Sequence, residues 1–558
     1  METITLTLPN NTNKQVEVRA KGLDIIDYFE CDKSKIIALR VNGEIVSLCR
    51  PLRVSSTVSP IFANSKDGAE IYRRSLCFVL AAAAHKLFPK TRLLVGHSLG
   101  YGYYYTLDRD VPLTMYEIQN LEKEMRSIIE KDFPINTKHL SYEEATEAFE
   151  KLHLTETRKQ LEYKCKPRVL VNVLDDGNGN PLDDFCDIYF GPLVKSTGIV
   201  NVFELKQYGE GFLLRFPTSA EPDKLSEFHD NPKIFEIYKN YKQWGKRVGV
   251  TSVASLNEII AKRKINDFID ITETFQGQNF AKVAEQIRQR GNVKVVLIAG
   301  PSSSGKTTSA KKLSLQLQAQ GYTPHVLSLD SYYVGRDRNP KDEFGNYDYE
   351  CLEALDIPYL NQQLLDLFTG KEIEVPSYNF DLGERFYTGE KMRIEENDIL
   401  IMEGIHGLND KLTPLIKPEL KFKIYLSALT QLNLDDHNRI PTSDNRLIRR
   451  IVRDANFRGK SAAATIGMWE NVQKGERLHI FPFQNNADAV LNTALDYELP
   501  VLKVYVEPAL RAVKPNQPEY TEASRLLRFL SQFNAISSDY VPRQSIIREF
   551  IGGSAFKY

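Results

Sequence analysis

The sequence predicts a multidomain protein whose largest unit is a doubly wound parallel α/β sheet, preceded by a small β-rich unit and a mixed α+β unit. Three observations lead there. A length of 558 residues exceeds the ~250–300 at which one hydrophobic core stops growing. From Lys294 to about residue 507, short all-apolar runs alternate with helical periodicity, the pattern of strands buried on both faces by crossover helices. Residues 1–63 instead alternate apolar and polar positions around Asn10-Asn11-Thr12-Asn13 and Asn42-Gly43, which are hairpin signals.

Taken in order, Ile4, Leu6 and Leu8 set against Val16 and Val18, with a second alternation at Ile36–Val46, make residues 1–63 a β-rich module. Residues 64–220 open on a helical stretch, Glu70 to Phe88, and pass strand-like pieces around Val95 and Tyr103–Leu107. Helical patterns follow at Met115–Asp132 and Tyr142–Leu152. Residues 221–290 carry Pro222 and Pro232 and a helical periodicity marked by Phe268, Ile269, Ile271, Phe275 and Phe280, which reads as a connector. The α/β unit is expected over 291–510. Its strands are Lys294–Ala299, Val326–Leu329, Ile399–Met402, Lys423–Leu426 and Ala489–Leu491. Pro508, Pro515 and Pro518 precede an apolar helix, Ala523–Phe533, in a C-terminal helical extension, 511–558.

Lys plus Arg total 72 and Asp plus Glu 73, so no global field selects nucleic acid or an anionic membrane, and any basic site is local. The six cysteines form no C-x-x-C pair and read as reduced thiols. The N-terminus has no basic n-region or h-region. Leu76–Phe88, the most apolar run, is broken by His85 and Lys86 and falls short of the ~20 residues of a membrane span. A cytoplasmic location and no membrane partner are the resulting expectations.

Gly300-Pro301-Ser302-Ser303-Ser304-Gly305-Lys306-Thr307 has the pattern G-x-x-x-x-G-K-T between a predicted strand and the helix that Thr308 opens. That setting is what gives a phosphate-binding loop its meaning. The glycines allow backbone N–H groups to approach phosphates at a helix N-terminus. Lys306 brings a compact charge to the outer phosphates, and Thr307 a hydroxyl to Mg²⁺. ATP and Mg²⁺ are the expected ligands.

Asp330 ends the next strand, where ligands bind in such sheets. It reads as a base for an acceptor hydroxyl close to the metal, or as a helix N-cap. Glu403 ends a third strand as a further candidate for the metal. Arg446, Arg449, Arg450 and Arg453 recur at helical spacing, with Arg458 and Lys460 beyond. They read as a mobile cationic segment that closes on the transferring phosphoryl group, or as a solvated basic face.

Residues 294–507 resemble the uridine kinase and phosphoribulokinase family. The resemblance rests on the loop at 300–307, Leu329-Asp-Ser-Tyr-Tyr333, Asn346-Tyr-Asp-Tyr349 with Ala354-Leu-Asp356, Pro376-Ser-Tyr-Asn-Phe380, Glu403-Gly-Ile405 and the Arg-rich segment ending at Lys460. It implies ATP-dependent phosphoryl transfer to the 5′-hydroxyl of a nucleoside, in a homo-oligomer. Asp330, Lys306 and Arg450 are then catalytic. Gly300 through Thr308, with Arg453 and Arg458, hold ATP; Thr307, Asp330 and Glu403 hold Mg²⁺; and Asp348, Tyr378, Arg385, Arg450 and Lys460 hold the acceptor. Departures concern the acceptor. The family's base-reading histidine, five residues after Tyr378, is Gly383 here, a glutamine after the Arg-rich segment is about Met468, and its closing arginine is Lys460. An unpaired polar group in such a pocket costs ~1–3 kcal/mol, so another polyol, a sugar or a sugar phosphate stays open as the acceptor.

Residues 1–220 resemble the N-terminal region of threonyl-tRNA synthetase. Residues 1–63 look like its β-grasp TGS domain. Residues 64–220 look like its second additional domain, with Phe88-Pro89, Gly96–Tyr105 and Phe190-Gly-Pro192 as markers. The positions that hold that domain's His/Cys set are Arg74, Phe78, Tyr189 and Leu193, so neither a metal nor editing is expected there. His85 and His97 read as structural histidines, and the Tyr101–Tyr105 run as half core. RNA contact through 1–220, in an ATP-switched tRNA- or ribosome-binding regulator, is the rival from another functional class.

Overall fold

The computed structural model describes residues 2–341, 345, 347–379 and 382–558. Of the matched elements, Asn346 and Phe380 lie outside the described residues. The large unit is a five-stranded sheet in the order Thr323–Ser328, Asp398–Glu403, Val295–Ala299, Lys421–Ser427, Ala489–Asn492. Every pairing in it is parallel. All residues of the three middle strands are buried, as their unbroken apolar runs require when helices cover both faces.

Strand growth reverses at the central Val295–Ala299, so the crevice at its carboxyl end is the topological switch point where such sheets bind ligands. The register places Ser328 opposite Glu403, and Glu403 opposite Ile298. The loop that begins at Gly300 therefore emerges beside the carboxylate that ends the neighbouring strand.

One hydrophobic core runs from Val250, Phe268 and Ile287 through Ile298, Ile401 and Ile424 to Leu526, Phe533 and Ile551. The helices Pro232–Val248 and Ile265–Arg290 and the C-terminal helix Tyr520–Leu530 thus pack around the sheet. Their periodicity in the sequence marks a buried face but not what that face meets.

At the N-terminus the sheet order is Asn13–Glu17, Thr3–Thr7, Ser56–Phe62, Ile36–Val41, Glu44–Ser47. The Thr3–Thr7 and Ser56–Phe62 pair is parallel, a mixed arrangement of β-grasp type. Next come the long buried helix Lys66–Leu87, a four-stranded sheet built on Gly102–Leu107 and Gly211–Arg215, and a three-stranded sheet centred on Arg168–Asp175. Tyr104 and Tyr105 are buried, Tyr103 is half-buried and Tyr101 exposed, so half of the tyrosine run is core.

The loop 433–439 joins this mixed unit to the large sheet. Asp436 accepts hydrogen bonds from the Glu156 and Thr157 amides at 3.0 and 2.9 Å, satisfying the N-terminal turn of the helix Thr155–Glu162 as a cap does. His437 lies 3.0 Å from Asp187, both buried. The Asn433 amide group donates to the Val95 carbonyl at 2.9 Å.

Candidate active site

The helix Lys306–Gln318 starts where it does because Gly305 has φ 83°, a left-handed conformation that costs glycine little. At Gly300 a Cβ would stand 2.5 Å from the Leu426 carbonyl oxygen, so only glycine lets the loop leave the sheet this closely. Ser303 also sits at φ 58°. Its hydroxyl and that of Ser304 are buried without a hydrogen-bond partner among the described residues. Alternating backbone signs before a helix N-terminus make a concave set of N–H donors suited to an anion, and the unsatisfied hydroxyls add to it. The Lys306 ammonium lies 3.5 Å from the Pro301 carbonyl.

Three carboxylates face the loop from different elements. Glu403 accepts from the Thr307 hydroxyl at 3.0 Å and the Ser328 hydroxyl at 3.1 Å. Burial, then the nearby Asp330 charge, pushes its carboxyl up to about 7. Asp330 lies in the 3₁₀ turn Leu329–Tyr332, whose cap residue is Ser328; the N-cap reading of Asp330 therefore falls. Its exposed carboxylate has no hydrogen bond or ion pair among the described residues, which leaves it able to accept a proton. Glu350 was not legible in the sequence. It is pushed up to about 7 by burial and then by the Glu476 charge. Gly475 makes room for it: a Cβ there would stand 2.5 Å from that of Glu350.

The arginine helix spans Thr442–Phe457 and divides its work. Arg446 and Arg449 are buried, which corrects both the mobile-segment and the solvated-face readings for these two. Arg446 pairs with both oxygens of Glu476 and donates to the Ser302 carbonyl at 3.2 Å. Glu476 also accepts from the Ser302 amide at 3.1 Å. Arg449 pairs with Glu498 and donates to the Ser303 carbonyl at 3.2 Å. These two arginines brace the phosphate loop from behind.

Arg450 does reach the loop's front, donating to the Ser302 hydroxyl at 2.7 Å. It lies, with Arg453 and Arg458, 3.4–3.7 Å from the fully buried Asp454. One carboxylate thus gathers three guanidinium groups, and burial, then Arg458, lowers Arg453 to about 10. Lys460 is exposed.

On the far side, Asp348 accepts from the Glu350 amide at 2.9 Å, and the Tyr378 hydroxyl donates to the Val334 carbonyl at 3.1 Å. Tyr333 stands 5.6 Å from Tyr378 and 6.3 Å from Tyr349 between ring centres, an aromatic wall beside Asp330. Arg385 is committed to the protein. It pairs with Asp356 at 3.1 Å, donates to the Tyr332 and Tyr333 carbonyls, and stacks on Tyr359.

The chain's C-terminus closes the other edge, which no motif announces. Glu549 accepts from the Thr308 amide at 3.3 Å and its hydroxyl at 2.5 Å, and the Tyr558 hydroxyl stands 2.8 Å from the same oxygen.

A donor loop with a lysine, a hydroxyl–carboxylate pair and a free aspartate beside a gathered arginine set is the equipment of phosphoryl transfer. Residues 295–499 match the Phosphoribulokinase / Uridine kinase family. Family-matched residues thus include the loop, Asp330, Glu403 and the arginine helix, whereas Glu549 lies outside the match.

Among solved structures, one described as "Structure of a Possible Uridine Kinase from Bacillus stearothermophilus" is 20% identical. The alignment covers 38% of this chain and 98% of that one, with a TM-score of 0.26. The D-glycerate 3-kinase of Cryptococcus neoformans is 15% identical over 49% and 89% of the two chains, TM-score 0.22. The N-terminal part is similar to threonine–tRNA ligases. That of Lawsonia intracellularis is 32% identical over 204 residues, 36% of this chain and 30% of the ligase. That of Aquifex aeolicus is 32% identical over 196 residues, 34% and 30%. The chain thus spans about 30% of the length of these curated relatives. No helix among the described residues is long and apolar enough to cross a membrane.

Proposed function

We propose that this protein transfers the terminal phosphoryl group of ATP to the 5′-hydroxyl of a nucleoside. The observation that carries the reading is Asp330, an exposed carboxylate without a partner among the described residues, held beside the loop Gly300–Thr307 and the Tyr333–Tyr378 wall. The loop amides and Lys306 hold the donor's phosphates. Asp330 takes the acceptor's hydroxyl proton as that oxygen bonds to the γ-phosphorus, and the β–γ bridging oxygen leaves with ADP. Arg450, already on the Ser302 hydroxyl, meets the charge that develops. Thr307, Glu403 and Asp330 are oxygen donors of the kind that suits Mg²⁺, which when bound neutralises phosphate charge.

A sugar phosphate is the second reading for the acceptor. Arg336 packs its side chain on Gly383 and donates its amide to the Gly383 carbonyl at 2.9 Å. Arg336 therefore packs where the family resemblance calls for a base-reading histidine, and that change of chemistry keeps a sugar phosphate open as the acceptor. The distinguishing experiment incubates the full-length protein with Mg-ATP and a panel of nucleosides, sugars and sugar phosphates, and identifies products by mass spectrometry. Nucleoside 5′-monophosphates support the first reading and sugar bisphosphates the second; ATP consumed with neither class refutes both. Residues 1–220 we read as a binding half without chemistry of its own. RNA contact through them would appear as copurifying nucleic acid that salt removes.

A further inference from the structure

Between the mixed N-terminal unit and the large sheet lies a cavity of about 1490 Å³, walled by both and by the C-terminal helix. Asp330, Lys306 and Glu403 do not line it. Its lining is rich in arginine and lysine and carries four acids, Glu70, Asp230, Asp444 and Glu476. Three of these are already engaged: Asp444 with Arg525, Glu476 with Arg446, and Asp230 with the Tyr208 hydroxyl. The remaining acid, Glu70, faces Arg74.

On the other side of the balance, Arg73, Lys164, Arg439 and Arg477 line the cavity. None has a side-chain hydrogen bond or an ion pair among the described residues. Arg73 lies over the Phe216 ring at 5.6 Å and Arg439 over Tyr103 at 5.1 Å. Those two rings meet edge to face at 4.8 Å. A guanidinium held over a ring by a cation–π contact keeps N–H donors available, and two such donors can grip a phosphate by two bonds. Lys164, over Phe190 at 5.0 Å, is lowered to about 8 by burial, which outweighs the opposing charge of Asp435. Arg477 is exposed, but Arg73, Lys164 and Arg439 are half-buried; half-buried cations without a paired acid are costly, and an anion entering the cavity relieves that cost.

We propose that this cavity binds a small phosphomonoester that carries a planar ring. Arg73 and Arg439 grip the phosphate, and the aromatic wall of Tyr103 and Phe216 receives the ring. At about 1490 Å³ the cavity exceeds the ~300–1,000 Å³ of common ligand pockets, so a nucleotide-sized molecule fits with room left for solvent. The site goes beyond the phosphotransfer reading and stands or falls without it, because binding alone is measured.

The test is equilibrium dialysis of the full-length protein with radiolabelled UMP as the probe, in competition with inorganic phosphate, uridine or a short single-stranded RNA. Wild type is expected to bind UMP, with phosphate at least tenfold weaker and uridine weaker still. Arg439→Ala and Arg73→Ala are each expected to weaken UMP at least tenfold while ATP affinity stays within twofold, which also shows that the variants fold. Arg450→Ala, altered at the phosphate loop, keeps UMP binding. Absence of UMP binding overturns the proposal, as does binding lost with Arg450→Ala but kept with Arg439→Ala. Phosphate binding as tightly as UMP, or RNA binding in place of UMP, overturns it as well.

Discussion

Replacing Glu476 with glutamine tests how the phosphate loop is held. The Glu476 carboxylate, 2% exposed, pairs with Arg446 and accepts the Ser302 amide at 3.1 Å. Glu476→Gln keeps the shape but removes the charge that balances a buried guanidinium. Breaking one partner of such a pair costs about 3–5 kcal/mol. The amide oxygen still accepts one bond, which puts the expectation at the low end, about 3 kcal/mol, or roughly a 150-fold change in the unfolding equilibrium. Trp469 lies 5.3 Å from the Arg446 guanidinium, and the only other tryptophan is Trp244. Trp469 fluorescence in a Trp244→Phe background therefore follows the site during denaturant unfolding. The double variant Glu476→Gln with Arg446→Met is expected to lose less than the sum of its singles by at least about 1.5 kcal/mol. A loss below about 1 kcal/mol for the single variant, or additive losses, would refute the brace.

Three further outcomes are expected. Glu549→Gln removes a negative charge from the Thr308 amide and hydroxyl, which a phosphate at this helix N-terminus needs, so ATP is expected to bind about five- to tenfold tighter, or roughly 1–1.4 kcal/mol; calorimetry showing equal or weaker binding would sink this. Burial opposes the charge on His437, yet Asp187 and then the neighbouring aspartates raise it to about 9. This pair's contribution, on the order of 3 kcal/mol, is full below His437's ordinary 6.5 and lost as pH rises through 9, so the thermal midpoint of wild type should converge on that of His437→Gln between those values; parallel curves would contradict the assignment. Gly475→Ala sets a Cβ against Glu350 and is expected to lower kcat/KM for the acceptor at least tenfold with the KM for ATP within twofold, as steady-state kinetics will reveal.

The donor side of the site was legible because its chemistry is written contiguously. Gly300–Thr307 needs its residues in that order, Glu403 ends an apolar run that can only be a buried strand, and Asp330 follows the short apolar run Val326–Leu329 at the end of a half-buried edge strand. The braces were not legible. Arg446 meets Glu476 and Arg449 meets Glu498 across gaps of 30 and 49 residues, and Thr308 meets Glu549 across 241. Helical spacing puts those arginines near one another but carries no information on which face is covered. Likewise, the helices at 232–290 and 520–530 show an apolar stripe in sequence, and only packing reveals that the sheet's core is its partner. Arg385 illustrates the same limit: its ion pair with Asp356 and its place over Tyr359 follow from the local hairpin and turn geometry rather than from any motif.

The most direct measurement compares wild type with Asp330→Asn in transfer of the labelled γ-phosphoryl group of ATP to a mixed nucleoside pool, alongside ATP affinity for each. Loss of a positioned general base is expected to lower turnover by about 10²–10⁴, with ATP affinity changed less than threefold. Turnover within threefold of wild type in Asp330→Asn, or no labelled nucleoside product from wild type, would contradict Asp330 as the base of a nucleoside phosphotransferase.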